Sequence, residues 1–185
     1  MIYPIVAYGD PVLRKKAARI KEDYPKLEDI IDNMFATMYH SQGVGLAAPQ
    51  VGLSIRLFVI DATPFKADDK NADGFKRVFI NAEMLEEYGD PWKFNEGCLS
   101  IPGVREDITR KDTIYLRYMD ENFDEYEEEF DGWIARVIQH EYDHTEGILF
   151  TDKVTALKKR LLKGRLTDIS KGIVDCDYKM RFYKK

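Results

Sequence analysis

Histidine and cysteine are both scarce in this chain, with three histidines and two cysteines among 185 residues. Two cysteines are too few for a disulfide framework, so a reduced, intracellular setting is the default. No run approaches the roughly 18 apolar residues of a membrane span. The opening Met1–Val6 lacks the basic start and long apolar run of a secretory leader, and a cytoplasmic protein with no membrane partner is expected. Basic residues are not in excess: the net charge of −5 argues against an extended nucleic-acid surface and against DNA as a partner. Internal repeats and low-complexity tracts are missing too, which excludes repeat architectures. At 44% hydrophobic and 33% charged the composition is that of a globular protein, and its length predicts one domain over residues 1–185 with a substantial core.

Two of the three histidines fall in one stretch, Gln139-His140-Glu141-Tyr142-Asp143-His144. On a helix, residues four apart stand one above the other, so two imidazoles can grip one metal ion from adjacent turns. At about 100° per residue, His140, His144 and Glu141 share one arc. Glu141 then stands beside the metal without being a ligand, where a base acting on water belongs. Trp133, Ile134, Val137 and Ile138 form an apolar stripe that includes this arc, while Arg136, Gln139 and Asp143 project elsewhere.

The rest of the chain supplies the frame. Residues 1–22 read as an irregular arm with a turn at Gly9-Asp10-Pro11. A helix is expected from about Pro25, with Ile30, Ile31, Met34, Phe35 and Met38 on its buried face, Gly43 at its end and His40 near its exposed C-terminus. Strands are expected over Arg56–Ile60, Arg77–Asn81, Glu83–Tyr88, Thr113–Met119 and Glu125–Phe130, with a break at Gly89-Asp90-Pro91 and a polar loop over 62–76. Asp152 is placed to cap a basic helix running to about Lys163 and stopped by Gly164, and Val174–Phe182 alternates like a strand with Cys176 on its buried face. The fold class is α+β: mixed or antiparallel strands packed around a central metal-binding helix, with an N-terminal helix and a strand-like C-terminal tail.

A hydrolytic site needs a third protein ligand and an open position for water. Zinc peptidases with an extended motif place a third histidine six residues on, but Phe150 occupies that position; others use a later glutamate, and none follows Glu146. A peptidase for internal bonds is therefore disfavoured. The candidates left are Cys98, Cys176, His40 and downstream aspartates such as Asp152. Cys98 stands out because Gly97 precedes it in a loop free to approach a metal, whereas Cys176 is patterned into a strand. A purely structural metal module would need a fourth protein ligand and would leave Glu141 without a task.

Three separated segments, Gly43-Val44-Gly45-Leu46-Ala47-Ala48-Pro49-Gln50, Glu96-Gly97-Cys98-Leu99-Ser100 and Gln139–His144, resemble in order and spacing the three signature motifs of peptide deformylases. Gly9-Asp10-Pro11-Val12-Leu13-Arg14 is similar to the family's opening. The resemblance implies that Cys98, His140 and His144 bind the metal and that Glu141 is the acid/base. It implies iron(II) as the ion, with zinc, nickel or cobalt able to take its place. The reaction implied is removal of the formyl group from the N-terminal methionine of nascent chains. By the same analogy Gln50 and the Leu99 backbone N–H stabilise the oxyanion. Val44, Gly45, Gly97, Arg105, Trp133 and Val137 receive the peptide, and Glu96 and Gln139 support the ligands. A monomer is expected, and the basic helix at 153–165 is placed to touch the ribosome near the exit tunnel.

Overall fold

Two long strands that double back on one another carry the fold. The computed structural model describes residues 1–183. Strand β4 (Lys76–Cys98) pairs antiparallel with β5 (Ile101–Met119), and only Leu99 and Ser100 separate them. Before this hairpin come β1 (Ile5–Val6), helix α1 (Leu27–His40), β2 (Gly45–Ala47) and β3 (Leu57–Asp61). After it come β6 (Glu125–Asp131), α2 (Gly132–Thr145), α3 (Ala156–Ser170) and β7 (Met180–Arg181). Strands β2-β3-β4-β5-β6 form one sheet in that order, every neighbour antiparallel, while β1 and β7 pair in parallel as a small second sheet. The expected α+β class is the one observed.

Side-chain alternation explains the layering. Along β3, Phe58 and Ile60 face one core with Phe79, Ile114, Leu116, Ile134 and Ile138. Leu57 and Val59 face another with Met34, Met38, Leu46 and Ile80. Successive side chains point to opposite faces of a strand, so β3 is apolar from Leu57 to Ile60 because α1 covers one face and α2 the other. A third core, with Leu13, Ile101, Ile108, Phe150 and Ile169, lies under α3 and the tail. Helix α2 meets the sheet on several sides and is buried nearly all round.

Several boundaries differ from the sequence reading. Gly89-Asp90-Pro91 does not interrupt β4; the pairing with β5 absorbs it as a register shift between Tyr88 and Pro91. Strand β3 covers β4 only as far as Ile80, so Pro91 lies where the other edge has no ladder to lose a donor from. The motif loop at Glu96–Ser100 is therefore the tip of a hairpin. The arm at 1–22 is more ordered than expected, with β1 and a 3-10 turn over Pro11–Arg14 capped by Asp10. Loop 62–76 carries two short 3-10 turns, at Thr63–Phe65 and Lys70–Ala72. Gly164 does not stop α3, because Leu166 and Ile169 bury beyond it and packing outweighs the glycine's propensity cost of about 1 kcal/mol. Thr155, not Asp152, caps that helix; Asp152 instead accepts from the Leu149 N–H and from Arg14. The tail forms a strand only at Met180–Arg181, and Cys176 lies outside it, half-buried.

The C-terminal end of α2, which delivers both histidines, is pinned from outside. Arg56 Nη1 lies 2.5 Å and Lys16 Nζ 2.9 Å from the Glu146 carboxylate, just past the helix. Burial alone would raise the Glu146 pKa, but hydrogen bonds from Lys16 and Arg56 bring it below its ordinary 4.5. A depressed carboxylate stabilises the fold above its unfolded pKa and loses that contribution as the pH falls through the folded value. Glu146→Gln is expected to destabilise the protein by about 1–2 kcal/mol at neutral pH. The gap from wild type should close as the pH drops below about 4.5, read by urea unfolding over about pH 3–7; a gap independent of pH would contradict this assignment.

Candidate active site

The hairpin tip and α2 bring three metal-ligating side chains together. Ligand atoms of Cys98, His140 and His144 all lie within 4.8 Å of one another, the one such group found among the described residues. The Cys98 Sγ is 3.3 Å from His144 Nε2, and the two imidazole rings are 5.2 Å apart, edge to face. Cys98 is thus singled out from the candidates weighed above. Cys176 lies in the tail on another wall of the same cleft, and His40 is exposed at its rim.

The residues around the triad fix its geometry. His140 Nδ1 faces Glu96 Oε2 at 3.1 Å, which directs Nε2 toward the sulfur and His144. Glu96 is itself held by Arg110, with Nε at 2.7 Å from Oε1 and Nη2 at 3.0 Å from Oε2, and by Arg136 Nη1 at 2.8 Å. Arg110 Nη1 also donates to Asp143 Oδ2 at 2.8 Å, tying the hairpin to the ligand helix a second time. Arg110, Arg136, Glu96 and Asp143 are all buried. Arg136, Gln139 and Asp143, expected to project away from the apolar stripe, are therefore interior. The two charged ones are matched by ion pairs, and Gln139 donates to the carbonyls of Lys111 and Ala135.

Burial would raise the Glu96 pKa, yet hydrogen bonds from His140 and Arg110 and the charge of Arg110 hold it far below the carboxylate range. Glu141 has no such partners. Burial pushes its carboxyl up to about 7, with the charges of His140 and Arg110 only partly opposing. Its Oε2 is buried with no hydrogen-bond partner among the described residues. His144 is driven well below its ordinary value by burial and by the charge of His140, and so offers a neutral imidazole. A thiol and two imidazoles close together, with an unpartnered carboxyl lining the same cleft, fit a divalent cation with a water beside it.

The glycines of the first motif are there for close approach. A Cβ on Gly45 would fall 2.6 Å from Glu141 Oε1, and one on Gly43 would fall 3.0 Å from Leu99 Cδ1. The residue with left-handed backbone after α1 is Gln42, not Gly43. Gln50 is buried; its Oε1 accepts from the Ala47 N–H at 2.9 Å, which turns Nε2 to within 3.4 Å of the Cys98 sulfur.

The triad opens onto a cleft of about 570 Å³ lined by Val44, Gly45, Gln50, Gly97, Leu99, Arg105, Val137, His140 and Glu141 among others. Trp133 stands one layer behind, stacked at 4.6 Å on Phe65 and edge-on at 4.8 Å to Phe94, and those two rings face the cleft. Arg105 is at the mouth, with Nε 3.0 Å from Asn95 Oδ1. Sequence reasoning missed Arg110 and Arg136. A usable signal existed: Arg110 shares the inward parity of Ile108, Ile114, Leu116 and Tyr118 on β5.

A buried carboxyl and a Cys-His-His donor set lining one open cleft have the make-up of a metal-dependent hydrolase. The model of the polypeptide deformylase family matches residues 2–160. The peptide deformylase of Christiangramia forsetii is 58% identical over 98% of this chain and 96% of its own, and that of Flavobacterium johnsoniae is also 58% identical, with the same coverage. The crystal structure of the Thermus thermophilus peptide deformylase superposes with a TM-score of 0.82 at 36% identity, covering 93% of this chain and 99% of that one. The chain belongs to the peptide deformylase family: it is a hydrolase that removes the formyl group from the N-terminus of nascent polypeptides.

The ion network around Glu96 makes a sharp prediction. Arg110→Met leaves Glu96 and Asp143 buried with one cation fewer, and should cost about 3–5 kcal/mol in chemical unfolding. Adding Glu96→Gln should recover part of that loss. A double variant no more stable than the single one would show that the carboxylate is not what Arg110 neutralises.

Proposed function

We propose that Cys98, His140 and His144 hold one divalent cation and that Glu141 moves the protons of the deformylation. The observation that carries this reading is the buried, unpartnered Glu141 Oε2 beside the triad. When bound, the cation supplies Lewis acidity and lowers the pKa of a water at neutral pH. The charge of a bound cation would favour the ionised form of Glu141, the form that accepts a proton. Glu141 takes the proton from the attacking water and returns it to the leaving nitrogen, so formate and a free amine result. Gln50 Nε2 and the Leu99 N–H donate to the oxyanion that develops on the former formyl oxygen. A thiolate with two imidazoles suits iron(II), zinc, nickel or cobalt; we assign iron(II), the ion that the resemblance implies.

The substrate is the N-formylmethionyl end of a nascent peptide. Strand β2 is at an edge of the sheet, so the peptide backbone can add there as a further strand beside Val44 and Gly45. Val137 and His140 from α2, with Phe65 and Phe94 in front of Trp133, form the apolar wall for the methionine side chain, and Gly97 and Arg105 lie toward the mouth. The enzyme works as a monomeric single domain in the cytoplasm; no helix among the described residues is long and apolar enough to cross a membrane. Lys159, Arg160 and Lys163 of α3 are exposed and form the face offered to ribosomal RNA near the exit tunnel.

Glu141→Gln should retain the metal, measured by elemental analysis, and lose about 10²–10⁴-fold in formate release from a formyl-methionyl peptide. Gln50→Ala should lose about 10²–10³-fold in kcat. Near-wild-type turnover by metal-loaded Glu141→Gln would remove the carboxylate from the proton path.

A further inference from the structure

One wall of the cleft takes no part in the chemistry above. It is built by residues 175–178 of the tail, beyond the 2–160 span that the family model matches. The wall is held at its C-terminal end. The Tyr178 hydroxyl donates to the Leu99 carbonyl at 2.8 Å, next to the metal-ligating cysteine. Two residues on, β7 pairs with β1, with the Ile5 N–H donating to Lys179 and the Ala7 N–H to Arg181, both at 2.9 Å. Along the wall the side chains alternate: Cys176 and Tyr178 are half-buried, Asp175 and Asp177 exposed. Both aspartates line the cleft, and among the described residues neither forms an ion pair or a side-chain hydrogen bond.

The cations that line the cleft do not cancel them. Arg136 is matched by Glu96. Arg105 is exposed and, among the described residues, bonded only to the neutral Asn95, through its side-chain oxygen and its carbonyl. Among the described residues the mouth is thus polarised, with Arg105 unmatched on the hairpin and Asp175 and Asp177 unmatched on the tail. A peptide entering in extended form presents successive side chains to opposite sides, so those turned to the tail meet negative charge.

We propose that Asp175 and Asp177 make the enzyme read the charge of the residues that follow the formylated methionine, favouring lysine or arginine over aspartate or glutamate. The proposal rests on the cleft being the peptide channel. Rim carboxylates in solvent act within a Debye length of about 8 Å and contribute modestly. They act equally on bound substrate and transition state, so the effect falls on KM.

The test uses the metal-loaded full-length enzyme and formyl-Met peptides otherwise of alanine, with a single Lys or Glu at the second, third or fourth position. At one or more positions the Lys peptide should exceed the Glu peptide by about 3–10-fold in kcat/KM, mostly through KM and less at high salt. In Asp175→Asn/Asp177→Asn that ratio should fall to near one; being internal to each enzyme preparation, it is insensitive to partial loss of fold. Equal rates for Lys and Glu at every position, or a preference for Lys that survives in the double variant, would overturn the proposal. Turnover of the all-alanine peptide separates the two readings. If it is deformylated without charge preference, only the proposal fails; if it is not deformylated at all, the channel fails and the proposal with it.

Discussion

The carboxylate of Glu96 is the point on which the site's geometry depends. It is buried at the hairpin tip, two residues before Cys98, and accepts from Arg110, Arg136 and His140 together. One side chain thereby fixes the loop that carries the sulfur and the tautomer and rotation of the first imidazole. Arg110 extends the constraint by reaching Asp143, next to the second imidazole. Buried charges are costly to desolvate and tolerable only when mutually satisfied. Here the requirement works as positioning: the network closes only when β4, β5 and α2 stand in one relation, which is the relation that sets Cys98, His140 and His144 within reach of one ion.

Glu141 is the counterexample within the same few ångströms. It is as buried as Glu96 but has no arginine or backbone donor, and the two carboxyls move in opposite directions from the same ordinary value. One stays charged and holds other groups still; the other, raised to about 7, is the group proposed above to move protons. Environment, not residue type, divides the two roles. The glycine at position 45 belongs to this arrangement, since any side chain there would occupy the space of the Glu141 carboxyl.

Much of this was legible in the residues. The i, i+4 histidines predict a shared face on α2, and the helix delivers it. Strands expected over Arg56–Ile60, Thr113–Met119 and Glu125–Phe130 fall in β3, β5 and β6, and elimination of Phe150 and of any glutamate after Glu146 narrows the third ligand to a set containing Cys98. What was not legible is long-range. Nothing local tells that Gly89-Asp90-Pro91 is carried through β4 by a partner strand, or that Gly164 is carried through α3 by Leu166 and Ile169 beyond it. Arg136 and Asp143 look like solvent positions until Glu96 and Arg110, more than thirty residues away from one or the other, arrive to match them. Alternation over Val174–Phe182 predicts a strand; its partner β1 is two residues long, and residues 175–178 lie along the cleft instead.

The most direct measurement is X-ray absorption at the metal edge of protein loaded with zinc as a reporter ion. A centre set by the Glu96 network should show one sulfur at about 2.3 Å and two imidazole nitrogens at about 2.0–2.1 Å, with the remaining scatterer a light atom. The same spectrum is expected from Glu141→Gln. A shell without sulfur, or one in which losing the Glu141 carboxylate removes a protein ligand, would contradict the assignment of Cys98, His140 and His144 as the donors and of Glu141 as the group that stands beside them.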